Sequence, residues 1–271
     1  KAGRLASTID TAPDNTGCQA RIYGFDANSN RTHLSRANGT TSCPALPSLG
    51  SPDFTYDTAD RATSPGYGYD PLGRTTIAPH SGVPGGADLS VRYYANDMVA
   101  RLSQNTDERA FTLDPAGRLR GLTETTDGLV TRSTLNHYAG PGDNPSWWTQ
   151  TKTSTTWFRN VVGIDGDLVA EHRGGGVTLQ LTNPHGDVVA YADNTASATG
   201  PTAYFEQNEY GIPRSTNTTY PKRYGWLGAK QRSRDALAGI VLMGVRLYNP
   251  PTGRFLTVDP IPGGNANPYV H

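Results

Sequence analysis

Apolar and polar positions alternate over short distances along this chain, and glycine, proline or aspartate interrupts the alternation every few residues. Tyr67 and Tyr69 lie two residues apart, which is the period of a β-strand. The next four residues, 70–73, read Asp-Pro-Leu-Gly and carry the chemistry of a tight turn: aspartate bonds its own backbone, proline fixes φ, and glycine accepts a positive φ. Arg74 then begins a second strand-like run. The segment therefore predicts a strand, a turn and another strand.

The same order of residues recurs along the chain. An aromatic or apolar run meets an aspartate, and an arginine follows four or five positions later. The copies pair Asp26 with Arg31, Asp57 with Arg61, Asp70 with Arg74, Asp97 with Arg101, and Asp114 with Arg118. Degenerate copies follow in 181–191 and 208–214, and further hairpin signals stand at Asp165-Gly166, Gly174-Gly175-Gly176 and His185-Gly186.

A single β-hairpin is only marginally stable in water, so each of these units must pack against its neighbours. Arginine and tyrosine side chains on adjacent strands would stabilise such a sheet, which is why we interpret most of them as structural. The sequence thus predicts an all-β fold of consecutive antiparallel β-hairpins that form a curved or spiralling sheet, with few short helices.

Composition supports this fold and limits the partners. The chain has 271 residues, of which 31 are glycine and 20 are proline, and only 35% are hydrophobic. Its 24 basic and 24 acidic residues balance, and no basic run is long enough to follow a phosphate backbone. We therefore expect no nucleic-acid partner. No apolar run approaches the length of a membrane span, and we expect the chain to be a piece of a longer polypeptide.

Cys18 and Cys43 have no histidines nearby in the spacing of a metal site. Two readings stay open: a disulfide, which would indicate an exported protein, or two inert buried thiols. The sequence also lacks a dinucleotide fingerprint and the common hydrolase motifs. We expect neither a metal nor a cofactor.

The repeats resemble those of YD-repeat proteins of the Rhs family, which includes the C component of Tc insecticidal toxins and the teneurin shells. The resemblance covers nearly the whole chain loosely and is sharpest in YGWLGAKQRSRDALAGIVLMGVRLYNPPTGRFLTVDPIPGGNANPY, residues 224–269, which is similar to the Rhs repeat-associated core. It implies two parts, a YD-repeat β-ribbon over 1–223 and a shell-closing core segment over 224–271.

In that family the ribbon spirals into a hollow shell, the core segment closes it, and a variable toxin follows. The resemblance therefore implies a structural shell fragment that encloses a C-terminal effector. The partners would be the upstream YD repeats and the downstream C-terminal toxin of the same polypeptide. The protein would be secreted or at the cell surface of a bacterium, and delivered by a secretion system in some settings.

The resemblance also implies one chemical alternative, an aspartyl autoprotease that releases the effector. Arg246 and Asp259 match the arginine and the aspartate of the family's motif. Such cleavage needs two nearby carboxyl groups that share a proton. Here Leu247 and Asn249 stand where active relatives have acids, and Asp235 is one residue that would have to substitute. A turn-forming role for Asp259 is therefore favoured over self-cleavage.

A third hypothesis is an extracellular adhesion or carbohydrate-recognition module. The only sequence feature that points to it is the pair Trp147 and Trp148, and adjacent tryptophans are more often packing anchors than a ligand platform. Exposed tryptophan side chains would favour a recognition surface, whereas buried ones would be packing anchors.

Overall fold

Strands make up most of the regular structure of this protein. The computed structural model describes residues 3–11, 17–40, 42–214, 223–261 and 263–270. Their elements are β1 Ser7–Thr11, β2 Cys18–Phe25, β3 Arg31–Gly39, β4 Gly68–Tyr69, β5 Thr75–Ala78, β6 Leu89–Tyr93, β7 Val99–Gln104, β8 Asp107–Leu113, β9 Leu119–Thr126, β10 Leu129–His137, β11 Trp147–Thr151, β12 Thr155–Val162, β13 Leu168–Arg173, β14 Gly176–Thr182, β15 Val188–Asp193, β16 Ala203–Tyr204, β17 Val241–Met243, β18 Arg246–Asn249, β19 Arg254–Phe255, and the 3-10 helix Gly228–Lys230.

The strands pair in the order in which the chain makes them. Strands β1 to β3 form one antiparallel sheet, and β4 to β16 form a second sheet of 13 strands in sequence order, which does not close on itself. Within each of these two sheets, every strand except the two at the edges therefore bonds to the strand before it and the strand after it. The predicted all-β fold of consecutive antiparallel hairpins is confirmed.

The chain divides into two compact units. The first comprises residues 1–75 and 252–271, and the second comprises residues 76–251. The predicted boundary between a ribbon and a core segment, at residues 223 and 224, remains a prediction.

In the second unit the segment from Arg223 onwards covers one face of the sheet. Tyr224 is 1% exposed and packs in a cluster with Leu168, Val188 and Phe205. Backbone hydrogen bonds also join the segment to the sheet: the Val188 amide on β15 donates to the Gly225 carbonyl at 2.9 Å. Strands that are marginal alone therefore gain a buried face.

In the first unit, β2 pairs with β1 on one side and with β3 on the other. Cys18, at the start of β2, is joined to Cys43 by a disulfide, with their Cα atoms 4.9 Å apart. Strand β19 brings the C-terminal residues into this unit, where the Phe255 amide donates to the Tyr269 carbonyl at 2.8 Å. Disulfide and C-terminal segment both tie distant parts of the sequence to the same unit.

Eight turns of the described chain share one backbone geometry. They begin at Asp26, Asp57, Asp70, Tyr94, Asp114, Gly163, Asn183 and Asn208. In each, the first residue's amide donates to the carbonyl four residues later, at 2.7 to 3.0 Å, and the amide of the fourth residue donates back to the first carbonyl at 2.9 to 3.3 Å. The fourth residue always has a left-handed φ, between 60° and 91°. This is a three-residue hairpin loop that closes with a bulge.

The bulge is visible in the strand pairing. The register shifts just before the turn in five of the hairpins, for example between Thr112 and Leu113 and between Val161 and Val162. The shift takes up the extra residue, so that the flanking strands stay paired. One turn geometry can thus serve hairpins of different strand length.

Gly166 is a position at which the free-energy cost of a side chain at the left-handed fourth residue of the turn can be measured. Its φ is 83°, and a Cβ atom added there would meet no atom within 4 Å. We expect Gly166→Ala to lower the free energy of unfolding by about 1–2 kcal/mol, because only the backbone strain changes. Urea unfolding followed by circular dichroism measures this.

Gly175→Ala is the matched control. Gly175 also has open space around its Cβ position, but its φ is not positive. We expect its effect to stay within about 0.5 kcal/mol. Equal effects of the two substitutions would contradict the role assigned to the left-handed position.

Candidate functional site

The aspartates of the repeats close the turns with their side chains. Oδ1 of Asp70 accepts the backbone amides of Leu72 and Arg74, both at 3.0 Å, and its Oδ2 accepts Nε of Arg74 at 2.7 Å. Asp114 repeats the pattern with Arg118, whose Nε lies 2.8 Å from Oδ2. Three polar groups are thereby satisfied by one carboxylate, within five residues of sequence.

These bonds favour the ionised carboxylate. The Arg118 side chain, followed by the backbone amides of the turn, lowers the pKa of Asp114. At Asp70, burial pushes the pKa upwards, but the bonds from the Arg74 side chain and backbone and from Leu72 outweigh it, so the pKa is lowered. Ionised aspartate is therefore part of the turn's structure.

Two of the five predicted aspartate–arginine pairs are wrong in register. Asp26 binds the Asn30 side chain at 2.8 Å, one position before the arginine named from sequence. Asp97 occupies the left-handed fourth position of its turn, with φ 65°, and Arg101 bonds Glu108 at 2.8 Å. Aspartate tolerates a positive φ better than most residues, so it can replace the glycine of the turn as well as the capping residue.

The two degenerate copies form the same turn with asparagine as the capping residue. Oδ1 of Asn183 accepts the amides of His185 and Asp187 at 3.0 and 2.9 Å. Oδ1 of Asn208 accepts those of Tyr210 and Ile212 at 3.0 and 2.9 Å. An amide oxygen therefore suffices for the backbone part of the cap.

In the first unit, Arg254 is held between two aromatic rings. Its guanidinium lies 4.5 Å from the ring centre of Tyr56 and 5.0 Å from that of Tyr269. It donates to Asn30 Oδ1 and to the Asp60 carbonyl, and both oxygens belong to repeat turns. The arginine of the GRF sequence therefore fastens the C-terminal segment to two turns of this unit.

Of the two tyrosines beside Arg254, Tyr269 is buried and Tyr56 is partly buried. Burial raises the pKa of Tyr56 to about 12 and that of Tyr269 to about 12, against a smaller opposing effect of the Arg254 charge. Both hydroxyls donate hydrogen bonds to backbone carbonyls, Tyr56 to Arg31 at 2.8 Å and Tyr269 to Gly73 at 2.6 Å. Sequence reasoning did not single out Arg254, and only its place in the core segment could have signalled it.

Arg246 and Asp259 lie in different units of the protein. Arg246 is buried on β18. The Asp259 carboxylate accepts the Ile261 amide at 3.0 Å, and its own amide donates to the Pro268 carbonyl at 2.9 Å, so Asp259 forms a turn. The assignment of these two residues to autoproteolysis remains a prediction.

The residues that depart from the protease pattern are structural here. Leu247 is 2% exposed, and the fully buried Asn249 donates to the Gly82 carbonyl at 2.9 Å. Asp235 forms a largely buried ion pair with Arg223, in which Oδ2 and Nε are 3.1 Å apart.

The two adjacent tryptophans have different environments. Trp148 is 5% exposed, stacks on Phe158 with ring centres 3.8 Å apart, and has the Arg223 guanidinium 4.3 Å above it. Trp147 is 39% exposed and stacks on His137. Trp148 is therefore a packing anchor, as expected, whereas Trp147 faces outwards.

Within the ranges that the structure describes, no three side chains of His, Cys, Asp or Glu converge as metal ligands. The same residues include no helix with the length and apolar character that crossing a lipid bilayer requires.

Self-capped hairpin turns, a sheet in strict sequence order and an inserted C-terminal segment define the class: a repetitive antiparallel β-sheet protein. The crystal structure of TcdB2-TccC3-Cdc42 superimposes on 95% of this chain and 13% of its own, with TM-score 0.67 and 17% identity. The Tc holotoxin pore of Photorhabdus luminescens matches 97% of this chain and 13% of its own, with TM-score 0.62 and 15% identity. These likenesses establish the fold.

Two curated relatives are similar in sequence. They are the tRNA3(Ser)-specific nuclease WapA of Bacillus spizizenii, 28% identical over 108 residues, and the tRNA(Glu)-specific nuclease WapA of Bacillus subtilis subsp. natto, 31% identical over 88 residues. The matches cover 39% and 31% of this chain, and 4% of each relative. No family model matches the chain.

Asp70→Asn tests the charged part of the turn. Because the pKa of folded Asp70 is lowered, its contribution is present above the unfolded value of about 4 and is lost as pH falls through the folded value. We expect the substitution to cost about 1 kcal/mol of unfolding free energy at pH 7, and progressively less below pH about 4. Urea titrations between neutral and acid pH measure the difference.

Asp127→Asn is the control, because Asp127 is an exposed residue in a two-residue turn outside the repeat pattern. We expect Asp127→Asn to change the free energy of unfolding by no more than about 0.5 kcal/mol at pH 7. An Asp70→Asn effect of the same size at neutral and strongly acid pH would show that the charge of Asp70 contributes nothing to the stability of the turn.

Proposed function

We propose that this chain is a section of the wall of a YD-repeat shell of the Rhs type, which encloses a C-terminal effector. The observation that carries the proposal is the sheet of 13 strands in unbroken sequence order, open at its ends. Such a sheet can be extended by further hairpins of the same polypeptide, because each new strand needs only the edge of the previous one. The partners are then the upstream repeats and the downstream toxin.

The comparisons support a toxin-associated role. The fold likeness to Tc toxin structures extends over 95% of the chain, and the sequence likeness is to two WapA nucleases. Because the chain spans 4% of the length of each nuclease, the proposal is enclosure and does not include the nuclease activity itself.

The balance of charge and the disulfide support the proposed setting. A structural wall needs no catalytic groups. The formal net charge of the chain is +0, so long-range electrostatic attraction to nucleic acid or to an acidic surface is weak. The Cys18–Cys43 bond favours an oxidising compartment, which fits a secreted or cell-surface bacterial protein.

The enclosure proposal is tested by protease protection of the full-length gene product. We expect polypeptide that follows His271 to resist a nonspecific protease under native conditions. Arg254→Ala should remove that protection, because it releases the C-terminal segment from Asn30 and the Asp60 carbonyl. Mass spectrometry of timed digests measures the loss of the downstream region.

Arg36→Ala is the matched control, since Arg36 is an arginine on β3 of the same unit that is not part of the Arg254 cluster. Its digestion pattern should equal that of the unaltered protein. Rapid digestion of the downstream polypeptide in the unaltered protein would refute enclosure.

Aspartyl self-cleavage is the alternative function, and the match of Arg246 and Asp259 to the protease motif of the Rhs family is what favours it. We expect no cleavage, because Asp259 is engaged in a turn and Leu247 and Asn249 replace the acids of active relatives. Mass spectrometry of the chain ends checks this. A new terminus downstream of Asp259 that disappears in Asp259→Asn would instead establish an autoprotease.

A further inference from the structure

The second unit contains a cavity between its sheet and the segment that covers it. The cavity measures about 180 Å³ and lies against β8, β9 and β10 on one side and residues 231–245 on the other. Much of its wall is apolar and is formed by Met98, Phe111, Leu122, Leu242 and Val245. The covering segment therefore does not fill the space over this part of the sheet.

A buried guanidinium lines the same cavity. Arg223 is 6% exposed and is fixed from three sides: it lies over Trp148, donates from Nη2 to Asn136 Oδ1 at 2.6 Å, and faces Asp235. The Nε–Asp235 contact of 3.1 Å is an ion pair without the alignment of a hydrogen bond. Nη1 is buried and bonds no acceptor among the described residues. A buried donor without a partner is costly and uncommon, so it indicates a missing acceptor.

The charges around the cavity are already balanced. Arg223 pairs with Asp235, Arg232 pairs with Asp143 at 3.2 Å, and Arg118 pairs with Asp114 at 2.7 Å. A charged ligand would disturb this balance in a site of low dielectric, whereas a neutral acceptor such as a carbonyl oxygen would not. The volume of the cavity also limits the size of the ligand. An apolar cavity of about 150 Å³ holds one benzene molecule, so a cavity of about 180 Å³ has room for a group of about that size.

We propose that this cavity holds the aromatic or branched aliphatic side chain of an extended polypeptide, and that the adjoining backbone carbonyl accepts a hydrogen bond from Arg223 Nη1. The proposal rests on the proposed enclosure for the source of that polypeptide, which is the passenger. It gives the wall a means to hold an unfolded chain at one point without a folded interface.

Methionine methyl NMR tests the proposal directly on the 271-residue chain. The protein has two methionines, of which Met98 lines the cavity and Met243 does not. Titration with N-acetyl-phenylalanine amide should shift the Met98 methyl signal saturably and leave the Met243 signal in place. N-acetyl-alanine amide should bind at least about tenfold more weakly, because it leaves the apolar volume empty.

Two variants separate the parts of the site. Arg223→Lys keeps the charge opposite Asp235 but removes Nη1, so we expect about tenfold weaker binding of N-acetyl-phenylalanine amide and unchanged binding of benzene. Leu122→Phe fills the cavity and should abolish both. Leu135→Phe, the same change at a 38% exposed position of the neighbouring strand, should leave both intact.

Several outcomes would overturn the proposal. They are an unmoved Met98 signal at the solubility limit of the amide, an equal response in Leu122→Phe, or equal binding of the alanine and phenylalanine amides. Benzene binding without amide binding would show a merely apolar void, and tighter binding of N-acetyl-phenylalanine carboxylate would show an anion site. Protease protection of the passenger is a separate measurement, so failure of enclosure and failure of this site are distinguishable.

Discussion

The structure depends on a carboxylate that caps its own turn. In each full copy one aspartate accepts two backbone amides and the side chain of the residue four positions later, so the loop needs no partner from the rest of the chain. A hairpin whose turn is complete in this way exposes only its edges and faces to further pairing. The sheet can therefore grow strand by strand in sequence order, and in five of the hairpins the bulge beside the turn sets the register of the pair.

The turns are closed by local contacts, whereas contacts between residues far apart in sequence bury one face of the repeats. In the second unit the segment that begins at Arg223 supplies Tyr224 and the Arg223 guanidinium over Trp148. In the first unit Arg254 and Tyr269 are inserted beside the repeat turns. The C-terminal residues from Arg223 onwards thus fasten the repeats in both units, and each unit uses an arginine because its side chain can stack on a ring and donate hydrogen bonds at once.

The local part of this arrangement could be predicted from sequence, and the long-range part could not. Asp57, Asp70 and Asp114 pair with the expected arginines because the turn lies within five residues. Asp97 was misassigned because aspartate fits two positions of the turn, and the pattern alone does not say which residue takes the positive φ. Arg223 and Arg254 find their partners across long stretches of sequence, and no spacing rule encodes such contacts.

The register shift that accompanies five of the turns has a consequence for how many hairpins such a sheet can contain. In such a hairpin, the hydrogen bonds that close the turn and the bulge that adjusts the register both lie within the same two strands. Insertion or deletion of one whole hairpin therefore leaves the pairing of the other hairpins unchanged. The spacing between copies can therefore be irregular, and the number of hairpins in such a sheet is not fixed by the pairing of its strands.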